Sequence, residues 1–362
     1  MRINGYRGTL WLIAVSLVLV LSAAAEELPP RLAHGINITN WFRFPPNRAP
    51  DALRAYLSDT DVRRIKAAGF SFIRLPVHAE LATSPALADA IARLQRQRLA
   101  TVVVLFAADW QLETNPADRN RLIAAWQALA QMLKRFDPQL TYPEVLNEPV
   151  FARVPTDWAE LQHRVLLTIR SILPVNTVIL TGADWGSIDG LLSLAPEADP
   201  NVIYSFHFYE PAELTALGAY RNGLDTNDMA RLPFPVAEVP PCETIAVAVH
   251  DAPTADLMRF YCRQRWDETK VAARIALAGA WARQHHVVVI AGEFGASRRL
   301  NAAARIAWLN ATRIACEQQR IGWALWGYDD SMGFGKRPPH DPSRLDDSTL
   351  RALGLGPADP GK

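Results

Sequence analysis

The sequence predicts a closed barrel of eight parallel β-strands, each followed by an α-helix, which is the (β/α)8 or TIM-barrel class of α/β fold. Eight apolar, strand-like runs recur along the chain with amphipathic helical stretches between them. An open doubly wound sheet shows the same alternation, but it normally carries a glycine-rich phosphate-binding turn after an early strand, and this sequence has none. One barrel with long loops also accounts for the chain length, so we expect a single domain over residues 26–362.

Residues 1–25 precede this domain and are predicted to be a cleaved secretory signal peptide. Arg2 and Arg7 form a basic start, residues 9–21 are almost wholly apolar, and the small residues before Glu26 suit a signal peptidase. The alternative is an uncleaved membrane anchor, because the uncharged run over 8–25 is near the lower limit for a membrane span. We expect cleavage after Ala25, no stable membrane insertion, and a secreted or periplasmic protein.

The eight strands and the helices between them follow in order. One helical stretch carries Leu122, Trp126 and Leu129 at helical spacing on a single face. The apolar runs that predict strands begin near Ala33, Phe70, Thr101, Tyr142, Thr177, Val202, Val287 and Ile321. We find no internal repeat, low-complexity segment or interdomain linker.

A long insertion follows the sixth predicted strand. Residues from about 210 to 254 are rich in proline and lack a regular period. In a barrel this stretch lies at the face where active sites are built, so we expect it to wall a substrate groove; a disordered excursion is the alternative. Cys242 and Cys262 either form a disulfide across it or remain free, and their spacing leaves both open. Cys316 is expected to be a buried thiol in a helix.

Composition limits the partners of the protein. The chain carries 38 basic and 37 acidic residues, so no basic excess indicates nucleic acid and an uncharged partner is expected. Eleven tryptophans are many for this length, and aromatic faces stack on neutral sugars as well as filling cores. No paired ligands at metal spacing, no nucleophile elbow and no phosphate-binding loop occur in the sequence, so we expect no metal and no cofactor.

Two predicted strands end at a glutamate. Residues 142–149 read Tyr-Pro-Glu-Val-Leu-Asn-Glu-Pro and deliver Asn147 and Glu148 before a proline, which stops a strand. Residues 286–295 form a second apolar run that ends at Glu293 beside glycines. A single glutamate at the end of a strand is more often a helix cap or a solvated loop residue than a catalytic group. Because strand ends meet at one face of a barrel, we expect the two carboxylates to share one site.

This pair, with its flanking residues, resembles glycoside hydrolase family 5, the cellulase-type retaining enzymes of clan A. The resemblance runs from about Gly35 to Gly335 and implies that Glu148 is the acid/base and Glu293 the nucleophile. Retention needs two carboxylates roughly 5 to 5.5 Å apart. The resemblance implies an endo-acting hydrolase of a β-linked glucan, most often β-1,4, and we expect the secreted protein to be a monomer. Mannan, xyloglucan and β-1,3-glucan remain open, because loops rather than the catalytic pair select the sugar.

The resemblance extends to polar residues at other strand ends. Arg74, in an apolar run over 70–77, matches an arginine that pairs with the nucleophile and keeps it ionised. Asn147 matches an asparagine that binds the 2-hydroxyl of the reactive sugar. His207 and Tyr209 lie two residues apart, hence on one face of the sixth strand, and match a pair beneath that sugar.

Aromatic residues complete the predicted site. Trp326, at the end of the eighth predicted strand, matches the tryptophan floor of the sugar subsite, and Trp323 falls on the other face as packing. Trp41 and Trp185 follow the first and fifth predicted strands. Either could extend the stacking platform or simply belong to the core, and the sequence leaves both roles open.

The third strand departs from the family's pattern. Residues 105–110 read Leu-Phe-Ala-Ala-Asp-Trp, with alanines where the family commonly places a histidine, although His78 or Asp109 could reach the same space. This departure favours one alternative, a carbohydrate-binding barrel without turnover, against which the intact carboxylates argue. A lyase acting on uronates is the other alternative, and the shortage of clustered basic residues weighs against it.

Overall fold

The computed structural model describes residues 27–107 and 109–356 and contains a closed barrel. Its eight strands pair in chain order, all in parallel, and the eighth closes onto the first. The predicted TIM barrel is therefore confirmed. The proposed signal peptide, residues 1–25, lies outside the described residues. None of the helices in the described ranges is long and apolar enough to cross a membrane.

Each strand begins within two residues of its predicted start. Apart from His34 and His78 at the ends, every strand residue is buried, which is why the strands appear in the sequence as unbroken apolar runs. The strands are β1 His34–Asn37, β2 Phe72–His78, β3 Ala100–Phe106, β4 Thr141–Glu144, β5 Val178–Thr181, β6 Val202–Phe208, β7 Val289–Phe294 and β8 Gly322–Leu325.

The helices surround the barrel and bury one face each. In the fourth, the predicted apolar positions Leu122, Trp126 and Leu129 are all buried. Several begin at a proline, which suits the first turn because it has no backbone N–H to leave unpaired. The helices are α1 Pro50–Ala55, α2 Asp59–Ala67, α3 Pro85–Arg96, α4 Pro116–Leu133, α5 Pro155–Ile172, α6 Ile188–Leu192, α7 Ala212–Thr215, α8 Thr226–Met229, α9 Val239–Val247, α10 Ala252–Gln264, α11 Glu268–His285, α12 Ala302–Gln318 and α13 Asp347–Ala352.

The barrel interior is layered from apolar to polar. Phe72 and Tyr142 belong to a small buried apolar cluster that is separate from the larger core between strands and helices. Arg74 and Glu144 follow them by two residues on the same strands, so they lie on the same inward face one step nearer the carboxyl ends. The apolar layer thus supports a polar layer at the end of the barrel where the loops leave for the helices.

The insertion at 210–254 contains regular structure, although its sequence lacks a regular period. It forms α7, α8, α9 and the start of α10, and a disulfide joins Cys242 in α9 to Cys262 in α10. The question of the bridge is therefore decided in favour of the bond. Cys316 is a free, buried cysteine in α12, as expected.

Candidate active site

The structure brings Glu148 and Glu293 together at the carboxyl end of the barrel. One carboxylate oxygen from each, together with a ring nitrogen of His207, lie within 4.8 Å of one another. Glu293 is 2% exposed, whereas the Glu148 side chain is 28% exposed. One glutamate is therefore enclosed by protein and the other borders solvent.

The segment after β4 delivers Glu148 through an unusual backbone conformation. The N–H of Asn147 still donates to the carbonyl of Leu105 in β3 at 2.8 Å, and the next residue, Glu148, has φ of 47°. The left-handed region is costly for a residue other than glycine and occurs mostly where function requires it. Beyond it, the N–H of Trp185 donates to the carbonyl of Pro149 at 3.0 Å, which ties the segment to the loop after β5.

An irregularity in β7 positions Glu293. Phe206 pairs with Ala291 and His207 pairs with Glu293, so Gly292 is an extra residue in the ladder. Its carbonyl accepts a hydrogen bond from the side chain of Asn37 at 3.1 Å. The bulge allows Glu293 to lie beside His207 inside the barrel.

Arg74 is held between two carboxylates in the barrel interior. Its Nη1 donates to Glu293 Oε1 at 2.5 Å, while Nε and Nη2 donate to the two oxygens of Glu144 at 2.7 and 2.8 Å. All three side chains are almost completely buried. Burial raises the pKa of Glu293, and the opposing charges of His207 and Arg74 only partly offset this effect. The predicted pairing of Arg74 with Glu293 is present in the structure.

Two asparagines complete the hydrogen bonds of the guanidinium. Arg74 Nη1 donates to Asn37 Oδ1 at 3.0 Å and Nη2 donates to Asn147 Oδ1 at 3.1 Å. The amide of Asn147 also lies 3.4 Å from Glu148 Oε2, so it links Arg74 to the glutamate that follows it. The sequence analysis assigned no role to Asn37 or to Glu144, although an acidic residue within an apolar strand is a signal that a buried cation lies opposite.

His207 and Tyr209 contact the glutamates as their shared pleat face predicts. His207 Nδ1 lies 3.0 Å from Glu148 Oε1 and 3.4 Å from Glu293 Oε2. The hydroxyl of Tyr209 donates to Glu293 Oε2 at 2.9 Å. Burial lowers the pKa of His207, but the carboxylates of Glu293 and Glu148 outweigh it, and the pKa is raised.

The pKa of Glu148 is shifted in the opposite direction, downwards. Burial raises the pKa of its carboxyl group, but the hydrogen bond and charge of His207 outweigh burial and lower it. The contact between His207 and Glu148 raises the pKa of one group and lowers that of the other, so the two groups titrate as a pair.

Glu148, His207 and Glu293 are the one cluster among the described residues whose ligand atoms lie close enough together for a metal ion. The close approach of these three side chains is explained by their hydrogen bonds and ion pairs without a metal ion. The imidazole is at hydrogen-bonding distance from Glu148, and the Arg74 guanidinium already supplies a positive charge to Glu293. We therefore assign no metal to these residues.

The three predicted aromatic platforms differ in exposure. Trp185 is 59% exposed and has φ of 59°, so its ring is free to stack on a ligand. Trp326 is 7% exposed, and Trp323 is packed in the core as predicted. Trp41 does not fit its predicted role, because it is fully buried and its indole N–H donates to the carbonyl of Leu53. The first loop turns this side chain into the core.

Neither of the residues suggested for the missing third-strand histidine takes its place. His78 Nε2 lies 3.8 Å from Asp109 Oδ2, and His78 also contacts Glu80. Within the described ranges neither side chain forms a hydrogen bond or ion pair with Glu148 or Glu293. At the end of β3, the guanidinium of Arg43, from the loop after β1, lies over the ring of Phe106.

A cavity of about 470 Å³ opens beside Glu148. The loops after β1, β3, β4 and β5 form it, and Trp110 and Trp185 belong to its walls. Residues 210–254 contribute nothing to this lining and instead help to form a separate cavity of about 600 Å³, so their predicted role as a groove wall stays a prediction. The insertion does support the site indirectly, because Thr215 Oγ1 donates to the carbonyl of Tyr209 at 2.6 Å.

Comparison with known proteins identifies relatives of low identity over most of the chain. Endoglucanase 3 of Fibrobacter succinogenes is 24% identical over 375 residues, which cover 94% of this chain, and the chain spans 55% of that protein's length. Endoglucanase C of Acetivibrio thermocellus is 22% identical over 317 residues, which cover 81% of this chain and 90% of that protein.

Solved structures share the fold. Thermotoga maritima Cel5A in complex with mannotriose superposes with a TM-score of 0.70 at 23% identity, covering 89% of this chain and 97% of that one. The cellulose synthase subunit Z of Clostridioides difficile gives a TM-score of 0.70 at 21% identity, covering 89% and 99%. A family model described as cellulase, glycosyl hydrolase family 5, matches residues 34–331. The chain therefore belongs to glycosyl hydrolase family 5, as its strand-end residues predicted.

Proposed function

We propose that the protein is a retaining, endo-acting glycoside hydrolase that cleaves β-1,4-linked glucan by double displacement. The observation that carries this proposal is the approach of the Glu148 and Glu293 carboxylates to within 4.8 Å. Retaining enzymes hold their two carboxyl groups about 5 to 5.5 Å apart, whereas inverting enzymes need about 6.5 to 9.5 Å to admit a water molecule.

In the first step Glu293 attacks the anomeric carbon and the glycosidic bond breaks. Arg74 donates to Oε1 of Glu293 and Tyr209 donates to Oε2, so the carboxylate is held in one orientation and its ionised form is favoured. A proton on the pair formed by His207 and Glu148 passes from Glu148 to the departing oxygen. The leaving sugar chain then departs through the cavity beside Glu148.

In the second step water attacks the glycosyl ester of Glu293. Glu148 takes a proton from that water, the ester bond breaks, and Glu293 returns as a carboxylate. The charge of Glu293 is absent while the ester exists, which removes a repulsive neighbour of Glu148. Glu148 therefore gives up its own proton more readily in the first step and acts as a base in the second.

The choice of a β-1,4-glucan is supported by the endoglucanase relatives and by the neutral charge balance of the chain. Because the chain spans only 55% of Endoglucanase 3, this choice remains a proposal. Mannan is the second candidate, since one structural neighbour was solved with mannotriose. The exposed ring of Trp185 suits either sugar, because stacking depends on the C–H face of the ring rather than on one hydroxyl.

The test is hydrolysis of carboxymethyl-cellulose, mixed-linkage β-glucan, mannan and xyloglucan by wild type, Glu293→Ala and the control Glu160→Ala. Glu160 is exposed on α5, away from the barrel interior. We expect reducing ends and a rapid fall in viscosity on a β-1,4-glucan for wild type and Glu160→Ala. We expect a loss of at least about 10⁴-fold in kcat for Glu293→Ala. Wild type that is folded but releases nothing from any of these polymers would overturn the proposal.

We also propose that the protein acts outside the cytoplasm. The apolar leader over residues 1–25 supports export, and the disulfide between Cys242 and Cys262 is of the kind that persists in oxidising compartments. Polysaccharide substrates are likewise found outside the cell membrane, so the location agrees with the proposed activity.

A further inference from the structure

Arg43, in the loop after β1, is held by aromatic rings at the edge of the active site. Its guanidinium carbon lies 4.7 Å from the ring centroid of Phe44, 4.6 Å from that of Phe106 and 4.9 Å from that of Trp326. Cation–π contacts of this kind fix a planar guanidinium without using its N–H donors. The aromatic contacts therefore orient Arg43 and use none of its N–H donors.

Within residues 27–107 and 109–356, Arg43 forms no ion pair and no hydrogen bond. Its Nε atom is buried and has no partner. Arg74 and Arg274, by contrast, each bind two carboxylates. A buried donor without a partner is unfavourable, so in native proteins it is satisfied by water, by an ion or by a bound ligand, or it has a functional role.

Arg43 lines the cavity that contains Glu148 and Asn147. Next to Arg43, the third strand ends in Phe106 and Ala107, which offer no polar side chain. Arg43 thus brings a hydrogen-bond donor to a part of the cavity wall where Phe106 and Ala107 bring none, and the N–H groups of Trp110 and Gln111 come from the loop that follows.

The charges around the cavity indicate which ligand Arg43 accepts. Glu113 and Glu148 line the same cavity, so two carboxylates accompany the single guanidinium. An anionic substituent on the sugar would be repelled by both carboxylates. Neutral hydroxyl groups accept hydrogen bonds from the guanidinium without this repulsion.

We propose that Arg43 is a substrate-binding residue whose guanidinium donates hydrogen bonds to hydroxyl groups of the sugar unit bound beside Glu148. This assignment rests on the proposed glucan hydrolysis and specifies how that site holds its substrate. Arg43 supplies the donor that the third strand does not. It also connects the sugar contact to the ring of Trp326, on which it rests.

The test is binding of thio-linked cellotetraose, whose sulfur bridges resist hydrolysis, measured by calorimetry on wild type, Arg43→Met and Arg43→Lys. Methionine keeps an unbranched apolar chain on the three rings and removes the charge and the donors. Lysine keeps the charge but lacks Nε and the planar group. We expect Kd to rise about 10-fold or more in Arg43→Met, and by a smaller factor in Arg43→Lys, because hydrogen bonds from a charged donor are lost or misplaced.

The matched control is Arg135→Met. Arg135 lies over the ring of Phe136 at 5.5 Å after the end of α4, so the control also removes a stacked arginine. Its Kd and its kcat/KM on soluble glucan should equal those of wild type, while kcat/KM of Arg43→Met should fall in parallel with its affinity.

Several outcomes decide the proposal. An Arg43→Met variant with the Kd and kcat/KM of wild type would overturn it and leave Arg43 a packing residue. If Arg43→Met does not fold, wild-type values in Arg43→Lys would overturn it instead. Wild type that binds the thio-oligosaccharide but hydrolyses no glucan would contradict the proposed function alone. Wild type that binds no thio-oligosaccharide would overturn both the proposed function and the assignment of Arg43.

Discussion

The imidazole of His207 lies between the two proposed catalytic carboxylates and controls the proton that the reaction needs. Activity requires an ionised Glu293 and one proton on the pair formed by Glu148 and His207. Burial raises the pKa of Glu293 above its ordinary value of 4.5, so kcat/KM should rise with pH through a value above 4.5. The pKa of His207 is raised above 6.5, so the pair should keep its proton until the pH passes that value.

A first prediction follows for His207→Asn. In this variant Glu148 is the only member of the pair that can hold the proton, so we expect the alkaline limb of the kcat/KM profile to move to lower pH. The acid limb, set by Glu293, should remain. The measurement is the pH dependence of kcat/KM on a soluble glucan between about pH 4 and pH 9, a range that brackets both limbs.

The control for this prediction is His163→Asn. His163 is exposed and paired with Glu197 at 2.9 Å, away from the barrel interior, so its profile should match that of wild type. An alkaline limb that stays in place in His207→Asn would show that His207 does not share the catalytic proton.

Single residues also show what the sequence could and could not reveal. Glu148 and Glu293 were predicted because each closes an apolar run, and a barrel gathers strand ends at one face. Glu144 was missed because its partner, Arg74, is 70 residues away and pairing is a property of the closed barrel. The sequence left Trp41 between a stacking role and a core role, because position after a strand does not reveal which way a loop turns its side chain, and the structure places it in the core.

The β7 strand carries the bulge that aims Glu293, and this feature has no sequence signal beyond a glycine before the glutamate. A Cβ atom on Gly292 would lie 2.3 Å from the Ser205 hydroxyl and 3.6 Å from Arg74 Nε. The site thus requires glycine for space beside the adjacent strand.

A second prediction is that Gly292→Ala impairs both stability and catalysis. We expect the free energy of unfolding to fall by about 1–3 kcal/mol, because overpacking in a full interior forces neighbours to move. We also expect kcat to fall about 10-fold or more, because a displaced Glu293 loses its alignment. The measurements are thermal or denaturant unfolding and glucan hydrolysis.

Ser205→Gly provides the rescue for this prediction. It removes the atom nearest to the new methyl group, and that hydroxyl has no hydrogen-bond partner in the described part of the chain. The double variant Gly292→Ala/Ser205→Gly should recover most of the lost kcat. A double variant no better than Gly292→Ala would contradict a steric cause.

The insertion shows why short elements escape sequence analysis. Helices α7, α8 and α9 have four, four and nine residues, which is too short for a helical period to appear clearly. The disulfide between Cys242 and Cys262 joins α9 to α10. The proline content of this stretch had indicated irregular structure instead of helices.

The fold as a whole was predictable because several properties agree. The strands are buried on both faces and appear as apolar runs, the helices are amphipathic, and the chain order of the strands is also their spatial order. What the sequence did not reveal was that Asn37 and Glu144 join Arg74 in the polar interior layer, since these residues come from separate strands. The barrel determines which of these residues meet.

The last prediction concerns export of the chain that includes residues 1–25. If residues 1–25 direct secretion, the full-length chain expressed in a bacterium should be recovered outside the cytoplasm with a mass that begins at Glu26. Cys242 and Cys262 should then be oxidised, because their bond closes in an oxidising compartment, whereas Cys316 is buried and should react with thiol reagents only after unfolding.

A chain expressed without residues 1–25 is the control for export, and it should remain in the cytoplasm with all three thiols reduced. The two products share one barrel, and the bridge lies outside the lining of the Glu148 cavity. We therefore expect equal kcat/KM on glucan but a lower free energy of unfolding, by about 3 kcal/mol, for the reduced form. Recovery of full-length protein with Met1 retained in the membrane fraction would contradict cleavage and support an uncleaved anchor.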